Sequence, residues 1–193
     1  MSSEFYRAES FGREILPTKS LILRPFEKSD AADVTALANN FKIASMLNTM
    51  PYPYLNSDAE SFIERISTPE ATGTVFAITL AESGEFIGTC GLVKQDEFQG
   101  MPAIGYWIGE AFWGNGYATE AARAVVDLFF KTGNQDELLL SVLSVNDRSK
   151  RVIEKCGGVF WKQCEKYSKL LDKTQSVEHY RITRESWMGA IAA

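Results

Sequence analysis

The pattern of apolar and polar residues divides the chain into short strand-like runs and a few helical stripes. Leu21-Ile22-Leu23-Arg24 is β-prone and stops at Pro25. Ser29 or Asp30 can cap a helix through Asn40, with Val34, Leu37 and Ala38 on one face. Phe41 to Leu47 reads as a further helical turn. Met50-Pro51-Tyr52-Pro53-Tyr54 breaks regular helix, because each proline removes a donor and crowds the preceding turn. Ser57-Asp58-Ala59-Glu60 fits a capping box ahead of the stripe Phe62, Ile63 and Ile66.

The second half is more regular. Thr74 to Leu80 and Phe86 to Lys94 read as a hairpin around Glu82-Ser83-Gly84-Glu85. Ala103 to Ile108 adds a third strand, where Gly105 and Gly109 suggest a bulge or a close backbone approach. Gly116 to Lys131 is the strongest helix, with Ala118, Ala121, Ala122, Val125, Val126, Leu128, Phe129 and Phe130 on a broad apolar face closed by Gly133. Leu138 to Val145 is a continuous apolar strand of the kind covered on both sides. Asn146-Asp147 can cap a helix to Cys156, stopped by Gly157-Gly158. Val159 to Lys166 and Val177 to Ile182 form a last strand pair, and Arg184 to Met188 a terminal helical turn. The order predicts a mixed α/β (α+β) layer, with residues 1–19 as an irregular lead-in and 20–193 as one domain.

Composition narrows the classes. The 193 residues carry 20 basic and 25 acidic side chains, a net charge of -5, which repels long polyanions and argues against nucleic-acid binding. One histidine, His179, excludes a His-rich metal site, and Cys90, Cys156 and Cys164 have no C-x-x-C spacing. The same scarcity argues against a Cys–His nucleophile, and Cys90 and Cys156 read as buried small apolar residues. No apolar run has the length of a membrane span, and the N-terminus lacks a signal-peptide core, so the expected compartment is the cytoplasm.

The chemistry points to one segment. Trp113-Gly114-Asn115-Gly116-Tyr117-Ala118 joins a strand to the best helix. Glycines before a helix start leave backbone N–H groups unpaired at the positive end of the dipole, a site for a phosphate; on two glycines alone a plain tight turn is the better-supported reading. The third glycine of the dinucleotide-binding fingerprint is replaced by Thr119, and no Gly-Lys-Ser/Thr of a P-loop occurs.

Three separated blocks, Ile104-Gly105-Tyr106-Trp107-Ile108, Phe112 to Ala122, and Val145 to Gly158, resemble the GCN5-related N-acetyltransferases (GNAT) in order and spacing, over about residues 20 to 187. The branch of ribosomal-protein N-terminal alanine and serine acetyltransferases is the most similar, and Leu21 to Pro25 matches it too. The resemblance implies a central, mostly antiparallel twisted sheet flanked by helices, with two strands splayed at the cofactor site. The cofactor motif Gln/Arg-x-x-Gly-x-Gly/Ala falls on Trp113 through Gly116 to Ala118, with Trp113 in the Gln/Arg place. The resemblance implies acetyl-CoA as co-substrate, its pyrophosphate on the amides of Gly114, Asn115, Gly116, Tyr117 and Ala118. It implies pairing of the pantetheine arm with Trp107-Ile108-Gly109, and an oxyanion donor near Ile108.

The branch's Asn-x-x-Ser pattern falls on Asn146 and Ser149. Ser149 is the implied proton donor to the CoA sulfur, and Asn146 an implied orienting group; helix capping is the alternative for both. A carboxylate base is also wanted, because an alkylammonium has no lone pair. Relatives often carry Glu where this chain has Ala103, which leaves Asp96, Glu97, Glu110 or a water relay. Met50 to Tyr54 lies where the family shapes its acceptor pocket. The implied activity is direct transfer in a ternary complex to a primary amine: a protein N-terminus, an amino acid, a polyamine or an amine-bearing drug. Two rivals are a longer acyl-CoA, for which Arg24 and Lys42 are the cations to consider, and a CoA-binding module without catalysis. A homodimer is a further expectation.

Overall fold

The computed structural model describes residues 14–47, 49–68, 73–94, 98 and 101–192. Its centre is one eight-stranded sheet. The strands are β1 (Leu16–Pro17), β2 (Leu21–Arg24), β3 (Gly73–Leu80), β4 (Phe86–Lys94), β5 (Pro102–Ile108), β6 (Glu137–Leu143), β7 (Val159–Ser168) and β8 (Lys173–Thr183). They lie in the order β1-β2-β3-β4-β5-β6-β8-β7. Every neighbouring pair is antiparallel except β5 and β6. The helices are α1 (Ala31–Ala38), α2 (Phe41–Ala44), α3 (Asn56–Ser67), α4 (Tyr117–Thr132), α5 (Asp147–Lys155) and α6 (Arg184–Ala192).

Side-chain alternation along the strands sends one set of residues to each sheet face. Leu21, Leu23, Phe76, Ile78, Cys90, Leu92, Ile104 and Ile108 meet α4, whose Ala121, Val125, Val126 and Phe129 are buried there, together with Ile153 and Trp187 from α5 and α6. Burying a side chain such as Phe129 completely is worth about 2–3 kcal/mol. On the opposite face Ala77 and Phe86 pack under Val34 and Ala38 of α1 and Ala59 and Ile63 of α3.

Several expectations shift. The lead-in is not irregular to its end, because Leu16 and Pro17 pair with Leu23 and Ile22. Two residues are too few to show a period, and Glu120 of α4 holds the turn by accepting from Thr18 Oγ1 and the Ser20 N–H, each at 2.6 Å. Residues 1–13 of the lead-in lie outside the described residues. Neither Ser29 nor Asp30 caps α1 through its side chain. Asp30 is taken by Arg24, at 2.8 and 2.7 Å, and by the Glu27 N–H at 2.7 Å. Burial raises the Asp30 carboxyl, but these donors outweigh it and hold it below the usual carboxylate range. α3 starts earlier than expected, with Asp58 closing the cap by accepting from the Leu55 N–H at 2.8 Å. Neither the bulge nor the close approach foreseen at Gly105 occurs: β4 and β5 pair without a shift, nothing lies within 4 Å of a Cβ placed there, and the register shifts lie at Ile78/Thr79 and Phe160/Lys162. α6 runs well past Met188. Among the described residues, no helix is long and apolar enough to cross a membrane.

Candidate active site

The parallel pair β5 and β6 is bridged only at Ala103 and Leu139. Beyond that bridge both strands continue, to Ile108 and Leu143, without further pairing. A gap therefore opens at their C-terminal ends, the place where open α/β sheets bind ligands. This is the splay that the family resemblance implied.

Hydrogen-bond alternation decides which groups face the gap. The Gly109 N–H donates to the Ile87 carbonyl at 2.8 Å. Antiparallel pairing alternates, so Trp107, opposite Thr89, also turns its backbone to β4, while Tyr106 and Ile108 turn theirs to the gap. Of the run Trp107-Ile108-Gly109, only Ile108 thus presents backbone groups to a ligand strand. Its carbonyl is already bonded by Trp113 Nε1 at 2.6 Å, which leaves the N–H. The Trp107 side chain lies on the other face, edge-on to Phe86 with ring centroids 6.1 Å apart.

The loop after β5 continues the gap. Gly114 and Gly116 have φ of 86° and 84°, left-handed values that a side chain resists. Gly116 caps α4 without any side-chain bond. Among the described residues, no acceptor is bonded by the N–H groups of Gly114, Asn115, Gly116, Tyr117 or Ala118. Five donors at a helix N-terminus suit a phosphate group. Arg148 of α5 lies 5.0 Å from the Trp113 ring and brings a positive charge beside them.

α5 forms the other wall. Asn146 is its N-cap, with Oδ1 accepting from the Ser149 N–H at 3.1 Å. The capping reading thus holds for that oxygen, and Nδ2 is what remains to orient a ligand. Ser149 Oγ lies 2.8 Å from the Tyr106 hydroxyl, across the gap from β5.

A cavity of about 420 Å³ lies on the α1–α3 side of β3–β5, and Gly105 and Trp107 line it next to Ile108. Met50, Pro51 and Tyr54, from the segment where the family resemblance implied an acceptor pocket, line it as well. Asp58 is its one carboxylate among the described residues, a residue that sequence reading assigned only to a helix cap. Of the other acids considered, Asp96 and Glu97 lie outside the described residues. Glu110 is engaged by Lys42 and by Asn40 Nδ2, which hold its carboxyl below the usual range. Ala103 is fully buried against Phe98 and Leu139.

One contact was not foreseen: Cys164 Sγ lies 3.1 Å from Nε2 of His179, whose Nδ1 lies 2.9 Å from Ser141 Oγ. The three residues sit on β7, β8 and β6, and His179 is fully buried. Only strand pairing brings them together, so no spacing revealed them. Cys90 and Cys156 are buried as expected; burial pushes the Cys90 thiol far up and the Cys156 thiol up to about 11, which leaves both inert.

With this geometry in view, comparison with known proteins is decisive. The family model of the acetyltransferase (GNAT) domain matches residues 20–159. The chain belongs to the GNAT acetyltransferase family. An uncharacterized N-acetyltransferase, p20 of Bacillus licheniformis, is 30% identical over 142 residues, covering 72% of this chain and 79% of p20. Among solved structures, the ribosomal L7/L12 alpha-N-protein acetyltransferase RimL in complex with coenzyme A superposes with a TM-score of 0.77 at 16% identity, over 90% of this chain and 99% of RimL. The microcin C7 self-immunity acetyltransferase MccE, in complex with acetyl-CoA and AMP, gives 0.74 at 18% identity, over 86% and 93%. At these identities the structures share the GNAT fold, and the N-acetyltransferase activity follows from the family.

Proposed function

We propose that this GNAT N-acetyltransferase moves the acetyl group of acetyl-CoA to a primary amine, a protein N-terminus or a small amine, by direct attack in a ternary complex. The observation that carries the reading is the single bridge between β5 and β6, which leaves the Ile108 N–H facing a gap that ends at the free donors of Gly114 to Ala118. Those residues fit the co-substrate: the loop amides and Arg148 hold the pyrophosphate, and Ile108 and Asn146 Nδ2 flank the pantetheine arm. Acetyl-CoA supplies a thioester whose carbonyl carbon is open to an amine. The Ile108 N–H stabilises the negative charge that develops on the carbonyl oxygen. Ser149 donates from its hydroxyl toward the departing sulfur. Asp58 draws a cationic amine into the cavity and receives its proton through water.

Arg24 and Lys42 are occupied by Asp30 and Glu110, so neither is free to hold the second carboxylate of a longer dicarboxylic acyl group. Calorimetry with acetyl-CoA tests the cofactor site, and absence of binding at millimolar concentration would refute it. A thiol-release assay over a panel of N-terminal peptides, amino acids, polyamines and amine drugs tests the transfer. Binding with no release for any amine would make the chain a CoA-binding module instead.

A further inference from the structure

The Tyr106 hydroxyl makes a contact across the gap to the residue beside the reacting sulfur's proposed place. It is borne by β5, lies 2.8 Å from Ser149 Oγ on α5, and is 3.3 Å from the Ser149 carbonyl oxygen. The two residues are 43 positions apart in the chain, and their contact spans the gap between β5 and α5. Tyr106 packs partly buried against the apolar core, with the Cys90 and Cys156 thiols nearby, and burial drives its hydroxyl above the usual phenol value. It stays protonated and cannot serve as a base.

The pair shares two protons and can arrange them in two ways. In one, Ser149 donates to the phenol oxygen and Tyr106 turns its proton to the Ser149 carbonyl. In the other, Tyr106 donates to Ser149 Oγ and the serine proton points away, into the gap. The second is the arrangement an electron-rich sulfur in the gap selects, because only it leaves a donor on the serine. The 2.8 Å contact also suits this donation better than the 3.3 Å alternative. A chain of donors polarises itself, so a serine that accepts from Tyr106 becomes the stronger donor.

We infer that Tyr106 is a positioning residue for thiol departure: it donates to Ser149 Oγ and so aims the serine proton at the sulfur of the co-substrate. The inference rests on the role proposed above for Ser149. The balance is simple. The C–N bond forms as the C–S bond breaks, the electron pair stays on sulfur, the amine gives up one proton and the thiol gains one. Ser149 eases that exchange by hydrogen bonding to the sulfur while charge builds there. Tyr106 never touches the reacting atoms.

The test uses Tyr106→Phe, Ser149→Ala and the double variant. Phenylalanine keeps the ring in place, and a melting curve with acetyl-CoA calorimetry confirms that each variant folds and binds. With an amine chosen from the panel, Tyr106→Phe lowers kcat about tenfold, the worth of one ordinary hydrogen bond, with KM for acetyl-CoA unchanged. In the Ser149→Ala background the same change has no further effect. A second readout needs no turnover: in the complex with coenzyme A, ultraviolet difference spectroscopy at pH 8 shows a smaller thiolate fraction in Tyr106→Phe than in the native chain. Additive losses in the double variant, or an unchanged thiolate fraction, would overturn the inference while leaving Ser149 in place. An unaltered kcat in Ser149→Ala would overturn the Ser149 role and this inference with it, but not the cofactor site.

Discussion

At the scale of single residues, two positions carry separable loads. Gly116 combines a φ of 84° with open space around the place where a Cβ would stand. That space lies beside the loop donors, so alanine costs twice. The left-handed backbone costs about 1 kcal/mol of stability, and a methyl group crowds the approach of a phosphate. Gly116→Ala is therefore expected to lose about 1 kcal/mol in denaturant melts, and at least about tenfold in acetyl-CoA affinity by calorimetry, a further 1.4 kcal/mol. Loss of stability without loss of affinity would return the loop to a plain turn. Asp58 has a second job as helix cap, and asparagine preserves it, since an amide oxygen can still accept the Leu55 N–H. Asp58→Asn thus isolates the charge. The kcat/KM for the amine should fall by about a hundredfold near neutral pH, the lower range for a proton acceptor. The deficit should narrow as pH approaches about 10, where alkylamines deprotonate unaided. A deficit independent of pH would remove Asp58 from the chemistry and leave it a structural role, since both attraction and proton transfer act only on the charged amine.

At the scale of elements, β5 organises the site by its two faces and its two edges. Tyr106 and Ile108 turn their backbones to the gap, while Gly105, Tyr106 and Trp107 line the cavity. A Cβ on Gly105 meets nothing within 4 Å, so a larger residue extends into the cavity rather than into the sheet. Gly105→Val is expected to keep or raise the melting temperature, since valine suits a strand better than glycine. It should cut kcat/KM for bulky amines before small ones, with acetyl-CoA affinity unchanged; an equal loss across an amine size series would place the acceptor elsewhere. Gly105 also shows where sequence reading stops. The strand itself was legible from Ala103 to Ile108, as were α4 and the Asn146 cap, because each is written in neighbouring residues. Its glycine was read as a bulge or a close backbone approach, and only the register of β4 and β5 and the open space beside Gly105 show that it is neither. The loop donors at Gly114 to Ala118 were legible through glycine chemistry and family resemblance. The contacts Tyr106–Ser149, Cys164–His179 and Trp113–Ile108 were not, because no local period records which side chains meet across strands and helices.

At the scale of the whole molecule, a net charge of -5 and a polyanionic co-substrate are compatible because the attraction is local. Backbone dipoles at the start of α4 act over a few ångströms, whereas the surface charge is screened beyond roughly 8 Å at physiological salt. The same gap that binds is a weak seam in the sheet, since β5 and β6 hold together at one bridge. A ligand that spans the loop, Ile108 and α5 should therefore tie the two halves of the sheet to each other. Binding only to the folded chain stabilises it by about 2.7 kcal/mol at a hundredfold excess over Kd, which for a chain of this size raises Tm by about 5–10 °C. Hydrogen exchange should localise that gain. Protection is expected to rise first and most at Ile108, at Gly114 to Ala118 and at the first turn of α5, and least in the locally opening amides of the β7–β8 hairpin, which lies beyond β6 at the far edge. Protection rising first in β7 and β8 would move the cofactor away from the seam, and with it the chemistry assigned to Ser149 and Ile108.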